Sequence, residues 1–295
     1  MSLAGSAGGL VILLLRRLKG LPRPGVYFLW LFPFLRFVLP FGLSGQLSIV
    51  SLMTGFSAKS LTADPWGLPS HITLMNSIQA AESYFPVTYR TPLLSKWFFI
   101  CSILWMVVLL SALALMTFLY IRSRLDFKRA SHLSENIYTV PSLASPVVYG
   151  VLQPKILIPE KYPHGDLEYI LMHERVHIKR KDNLVRLLVL ATACVHWFNP
   201  LMWLFVKHLF EDMELACDTG VLKKLEPEKR KEYASALLNS ATKHSFLVPS
   251  FGGSRVRSRI ENVLTYRGLT FLSLTVFFLI ALLTALLLLT NPALA

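Results

Sequence analysis

Apolar positions along the chain gather into long runs instead of a short alternation, and charge is concentrated between the runs. The first run, Leu10 to Leu15, follows small residues and is closed by Arg16, Arg17, Lys19 and Arg23. A secretory signal carries its positive charge before the apolar core, so this order predicts a membrane segment with its N-terminus outside. Ser2 to Leu15 is shorter than the roughly 17–25 residues a span needs. Val26 to about Gly45 predicts a second span, with Tyr27 and Trp30 suited to an interface. Arg36 lies inside it, where a charge costs about 2.5–3.5 kcal/mol at the membrane centre. Snorkelling or pairing within the bundle is expected of it ahead of a gating contact. Lys96 to about Ile121 predicts a third span, closed by Arg122, Arg124, Lys128 and Arg129, and uncharged Leu269 to Leu289 a fourth. The loop from 46 to 95 carries only Lys59, Asp64, Glu82 and Arg90 before Lys96, which cancel, and low Lys/Arg content assigns it to the outside. Packing over the spans is as much expected of it as ligand sensing.

Between the third and fourth spans the pattern changes. Ile137 to Pro159, rich in Val, Ile, Tyr, Pro and Gly, predicts two or three short strands. A strand edge beside an active site can pair with an extended substrate backbone. Asp166 is read as the N-cap of a helix running through His177. The apolar run Leu184 to Phe210 would, as a single crossing, put its two ends in different compartments. Asn199-Pro200 interrupts it, and Pro suits the first turn of a new helix. A helical hairpin dipping into or lying against the bilayer is therefore expected, with His196 near its tip as a packed histidine. Glu226-Pro227-Glu228 opens a helix to about Asn239, and Ser240 to Arg259 reads as an exposed basic connector. Its Ser240-Ala241-Thr242-Lys243 matches the Ser-x-x-Lys of penicillin-recognising enzymes by coincidence, since no partner motif follows. Ser245-Phe246 in this connector is a candidate point of self-cleavage, since exposed connectors are preferred nicking sites.

Composition agrees with a membrane protein: 54% of residues are hydrophobic, with mean hydropathy +0.51. The net charge of +13 is unevenly placed. From Arg122 to Arg267 there are 22 Lys/Arg against 15 Asp/Glu, which puts this domain inside. No nucleic-acid signature accompanies the charge, so a face beside anionic lipid is expected and direct nucleic-acid binding is not. Cys101, Cys194 and Cys217 show no pairing pattern and fit a reducing, cytosol-facing domain.

The candidate chemistry lies in Leu171-Met172-His173-Glu174-Arg175-Val176-His177. Two histidines four apart share a helix face and can bind one zinc ion, and the intervening Glu174 can act as general base on a water polarised by that ion. Downstream, Glu214 and Asp218 are again four apart. One carboxylate would complete three protein ligands, leaving a position open as catalytic zinc requires. Asp218 can hold a ligand histidine through its other ring nitrogen. Cys217 is read as packing, and Arg180 and Asp182 as structural.

These residues, with Arg180-Lys181-Asp182-Asn183, Trp197-Phe198-Asn199-Pro200, Glu214-x-x-Cys217-Asp218, Ser145-Pro146-Val147-Val148-Tyr149-Gly150 and Pro154-Lys155-Ile156-Leu157-Ile158-Pro159, resemble the BlaR/MecR antirepressor membrane metallopeptidases. The resemblance implies a gluzincin-type zinc protease that cleaves a cytosolic repressor or itself. It makes His173, His177 and Glu214 ligands, Glu174 the base and Asp218 their outer partner. CAAX-processing and heat-shock zinc peptidases pair similar motifs, but the Trp-Phe-Asn-Pro hairpin favours the BlaR/MecR type. A non-catalytic receptor or scaffold is the rival from another class. The best-known members continue into an external penicillin-binding sensor domain, which does not follow Leu289 in this sequence, so the resemblance does not extend to β-lactam sensing. The resulting expectation is a mainly α, polytopic membrane protein with about four transmembrane helices. Residues 1–121 hold three spans, 122–268 a cytosolic α+β zinc-peptidase domain with the hairpin, and 269–295 the last span. Its partners would be the lipid bilayer and a cytosolic repressor, with a homodimer left open.

Overall fold

The computed structural model describes residues 2–18, 20–39, 43–44, 92–126, 130–141, 143, 145–160, 162, 164–242, 252–266, 268 and 270–291. The expected outer loop up to Thr91, and Ser245 and Phe246, lie outside these residues. Helix α1 covers Ser2–Leu15, α2 Arg23–Leu29, α3 Leu31–Val38 and α4 Pro92–Asp126. Strand β1 is Leu43–Ser44. Strands β2 (Ser131–Ser134), β3 (Ile137–Val140), β4 (Val147–Tyr149) and β5 (Lys155–Pro159) precede α5, His164–Arg180. Then come α6 (Asp182–Val195), α7 (Pro200–Leu222), α8 (Arg230–Thr242), α9 (Gly252–Leu264), α10 (Phe271–Leu289) and β6 (Thr290–Asn291).

Among the described residues two helical stretches are long and apolar enough to cross a membrane, Lys96–Ser123 within α4 and Phe271–Leu289. The apolar α1 is shorter. The expected second span is not one straight helix. Pro33 has no N–H to offer the carbonyl of Leu29, and the run breaks at Trp30 into α2 and α3, neither of which reaches the roughly 17 residues of a span. Of the four expected spans, two are helices of spanning length among the described residues. At the start of α10, Thr270 and Ser273 form a reciprocal capping box. At its other end β6 pairs in parallel with β1, tying the end of α10 to the residues after α3.

α6 and α7 form the expected hairpin. Asn199 caps α7 by accepting from the Leu201 N–H, with Pro200 in the first turn. The Asn199 amide also donates to the hydroxyls of Ser2 and Ser6, fixing the hairpin tip to the start of α1. Ile12, Trp30, Phe37, Met202, Phe205 and Met213 fill the shared core of α1–α3, α6, α7 and α10. One buried carboxylate locks this bundle: Asp212 accepts from Trp30 Nε1 at 2.8 Å and from Arg16 at 3.0 Å. His196 is buried, packs its ring on Phe37 and donates to the Phe37 carbonyl at 3.1 Å. Arg36 is buried in the same bundle.

The remaining elements surround the lower part of α7. The sheet has the order β2-β3-β5-β4, with β3 and β5 parallel and the outer pairings antiparallel. It has one strand more than expected, because Ser131–Ser134 is exposed and lacks an apolar signal. α5 lies on the sheet through Leu167, Leu171 and Ile178. Asp166 is not an N-cap: the helix begins at His164, and Asp166 accepts instead from Asn239 of α8. The exposed connector expected from Ser240 to Arg259 is also corrected. Ser240 to Thr242 belong to α8 and Gly252–Leu264 forms α9, whose Val263 is fully buried against α5, α7 and α8.

Candidate metal centre

His173 and His177 are both buried on the face of α5 that meets α7. The two helices approach closely because Gly220 of α7 faces Val176, where a side chain would collide. Across this contact the Nε2 atoms of the histidines lie 3.1 Å apart. The Glu214 carboxylate lies 3.4 Å from Nε2 of His173 and 3.6 Å from Nε2 of His177. Ligand atoms about 2.0–2.1 Å from a tetrahedral zinc are roughly 3.3 Å apart. The three residues present therefore bring donor atoms together at about the spacing that ion needs, Glu214 through Oε2 toward His173 and Oε1 toward His177. The hairpin brings Glu214 back to the side of His173.

Each imidazole turns its other nitrogen to a carboxylate. His177 Nδ1 is 2.6 Å from Asp182 Oδ2, and His173 Nδ1 is 3.2 Å from Asp218 Oδ1. Such carboxylate–histidine pairs fix the tautomer and the ring orientation of a metal ligand. Asp218, named from the sequence as the outer partner, lies against Nδ1 of His173. Asp182 is its counterpart for His177, a role the structural reading from sequence passed over.

Tyr233 of α8 joins the Asp218 side, donating to Asp218 at 2.7 Å with His173 Nδ1 3.0 Å from its oxygen. Arg259 of α9 grips both oxygens of the fully buried Asp218 at 2.7 and 2.9 Å. Its guanidinium also lies 3.2 Å from His173 Nε2 and 3.5 Å from Glu214. Arg186 of α6 holds the other Glu214 oxygen at 2.9 Å. Sequence reasoning missed Tyr233, Arg186 and Arg259. Val256, Ile260 and Val263 recur at i, i+4 and i+7 around Arg259, and that helical pattern was the available signal.

Cys217 is more than packing. Its sulfur and ligand atoms of His173 and His177 all lie within 4.8 Å of one another, and its thiol donates to the His173 carbonyl at 3.3 Å. Three residues along a helix is nearly one turn, so Cys217 shares the face of Glu214. Glu214 also approaches both histidines, at 3.4 and 3.6 Å. Glu174 is half-buried beside His173, and its carboxylate makes no hydrogen bond or ion pair among the described residues.

The electrostatics suit a cation. Burial disfavours charge on His177, yet the Asp182 carboxylate carries it up to about 10. Burial likewise opposes charge on His173, but Cys217, Tyr233 and Asp218 hold it well above its ordinary value. Burial would raise Glu214; hydrogen bonds from both histidines and the charge of Arg259 hold it well below the usual carboxylate range. Asp218 is held down against its burial by Arg259. A dication at the Nε2–carboxylate triangle would take over the compensation that protons supply.

Strand β4, an edge of the sheet, touches α5 and is anchored by Asn183. The Asn183 amide donates to the carbonyls of Val148 and Gly150 at 3.0 and 2.9 Å. One residue after the carboxylate that holds His177, the chain thus fixes the sheet edge against the site.

A sequence model of the BlaR1 peptidase M56 family matches residues 1–263. The regulatory protein BlaR1 of Bacillus licheniformis is 35% identical over 101 residues, covering 33% of this chain and 17% of that protein. The methicillin resistance mecR1 protein of Staphylococcus aureus is 29% identical over 101 residues, with the same coverage. The regulatory protein BlaR1 of Staphylococcus aureus is 26% identical over 133 residues, 41% of this chain and 23% of the relative. The matched stretch thus spans no more than about a quarter of each of these relatives.

Proposed function

The chain belongs to the BlaR1 peptidase M56 family, and we propose that it is a multi-pass membrane zinc endopeptidase of signal transduction. Its site would face the cytosol and act on a cytosolic repressor, on the chain itself, or on both. The observation that carries this reading is the convergence of His173 Nε2 and His177 Nε2, 3.1 Å apart, on the Glu214 carboxylate, with Oε2 3.4 Å from the first and Oε1 3.6 Å from the second. The orientation follows from the basic surplus after Arg122.

In this reading His173, His177 and Glu214 hold zinc, Asp218 and Asp182 orient the two imidazoles, and Arg186 orients Glu214. Bound there, zinc would polarise the scissile carbonyl and acidify water to a pKa of about 7. Glu174, whose carboxylate has no partner among the described residues, would take the proton of the attacking water and pass it to the leaving amine. Strand β4 would pair with the extended substrate backbone. Arg259 lies beside Glu214 and His173 and is the cation best placed to meet an oxyanion. Ser245-Phe246 joins two helices packed against the site and is proposed as the position of self-cleavage.

The test is zinc content and proteolysis of the full chain in liposomes, wild type against Glu174→Gln. Candidate cytosolic repressors and the chain itself serve as substrates. Zinc in both with cleavage only by the wild type supports the reading. Absence of zinc from the wild type refutes it.

A further inference from the structure

The two imidazoles are held from different parts of the molecule. Around His173 the outer partners are Asp218, Tyr233 and Arg259, all on α7, α8 and α9. Around His177 the partner is Asp182, which is fully buried and uses both of its oxygens. Oδ2 meets His177 at 2.6 Å, while Oδ1 accepts from the hydroxyl of Tyr27 at 3.1 Å and faces Arg180 at 3.3 Å. The Arg180 guanidinium also lies over the Tyr27 ring, 4.4 Å from its centre. Tyr27 stands on α2, in the apolar bundle and 155 residues before Asp182 in the chain.

A carboxylate with one oxygen on a ligand histidine takes its orientation from whatever holds the other oxygen. Here that oxygen is shared between Arg180, at the end of α5, and the Tyr27 hydroxyl, which comes from the bundle. We propose that Tyr27 is a positioning residue that couples the membrane bundle to the metal centre, by orienting Asp182 and through it His177. A shift of α2 against α6 would then loosen one ligand while His173, fastened by α7–α9, stays in place. Regulation would act on how firmly the ion is held. This inference rests on the metal-site reading above.

The test uses the full chain in lipid nanodiscs as wild type, Tyr27→Phe and Tyr27→Leu. Zinc affinity is measured by competition with a chelator, together with the visible absorption of the cobalt-substituted protein. Tyr27→Phe keeps the ring beneath Arg180 and removes only the hydroxyl. It is expected to bind zinc about ten-fold more weakly, the lower end for loss of an outer partner, with an altered cobalt spectrum. If Tyr27→Phe matches the wild type in both and only Tyr27→Leu weakens, the ring is packing and the inference is overturned. If the wild type binds neither metal, the metal-site reading fails first and takes this inference with it.

Discussion

Gly220 of α7 faces Val176 of α5 so closely that a methyl group on it would come within 2.9 Å of Val176 Cγ1. Val176 lies between His173 and His177 in sequence, so this contact sets how near Glu214 comes to them. Gly220→Ala should cost about 1–3 kcal/mol through overpacking and weaken zinc binding as the helices part. Val176→Ala in the same chain should restore much of the affinity. Thermal unfolding with and without zinc measures both effects.

Glu174→Gln should leave metal binding intact and lower cleavage by about 10²–10⁴-fold, the usual worth of a positioned general base. Single-turnover cleavage of a repressor substrate, with zinc content measured in parallel, separates the two effects.

Arg259→Met should strand a fully buried carboxylate and destabilise the protein by about 3 kcal/mol. Asp218 is held below its ordinary value, so its contribution is present above about pH 4 and is lost as pH falls below that. Without Arg259 the folded-state value of Asp218 moves up, so this acid-side loss should shrink. An acid titration of the metal-free proteins, followed by circular dichroism, checks the shift.

His177 is raised, so the sign is reversed. Its contribution to the metal-free fold is complete below about pH 6.5 and is lost as pH rises toward about 10. Zinc competes with that proton, so affinity should climb through the same window while metal-free stability falls. Chelator competition and thermal melts at several pH values test the pair of opposite trends.

Asn183→Ala should free the carbonyls of Val148 and Gly150 and cost about 1–2 kcal/mol. Amide exchange should speed up in β4 and β5 with little change at α7.

Much of the centre could be read from spacing alone. The four-residue intervals His173–His177 and Glu214–Asp218 need only a helix to place each pair on one face, and both are helical. The hairpin followed from Asn199-Pro200, since a proline that cannot continue one helix can open the next. Asp182 was harder, because its contact with His177 depends on a left-handed backbone at Lys181 that apolar patterning does not encode. Arg259 was hidden by composition. A polar stretch reads as a loop, although its Val256, Ile260 and Val263 recur at the spacing of a helix that aims Arg259 into a buried pair. The broken second span was missed because hydropathy registers the carbon content of Pro33 and not its absent N–H.

Lys181, at φ 57°, is the lone left-handed residue between α5 and α6. It works as a gauge, converting the number of residues in the joint into the angle at which α6 leaves. One added or deleted residue would turn α6 by about 100°. Asp182, Asn183 and Arg186 would swing away together from His177, β4 and Glu214. Replacing the side chain at 181 with Gly or Asn would keep the angle. The joint is therefore permissive in composition and fixed in length, and a single-residue indel there would undo three separate fastenings while every residue in them survived.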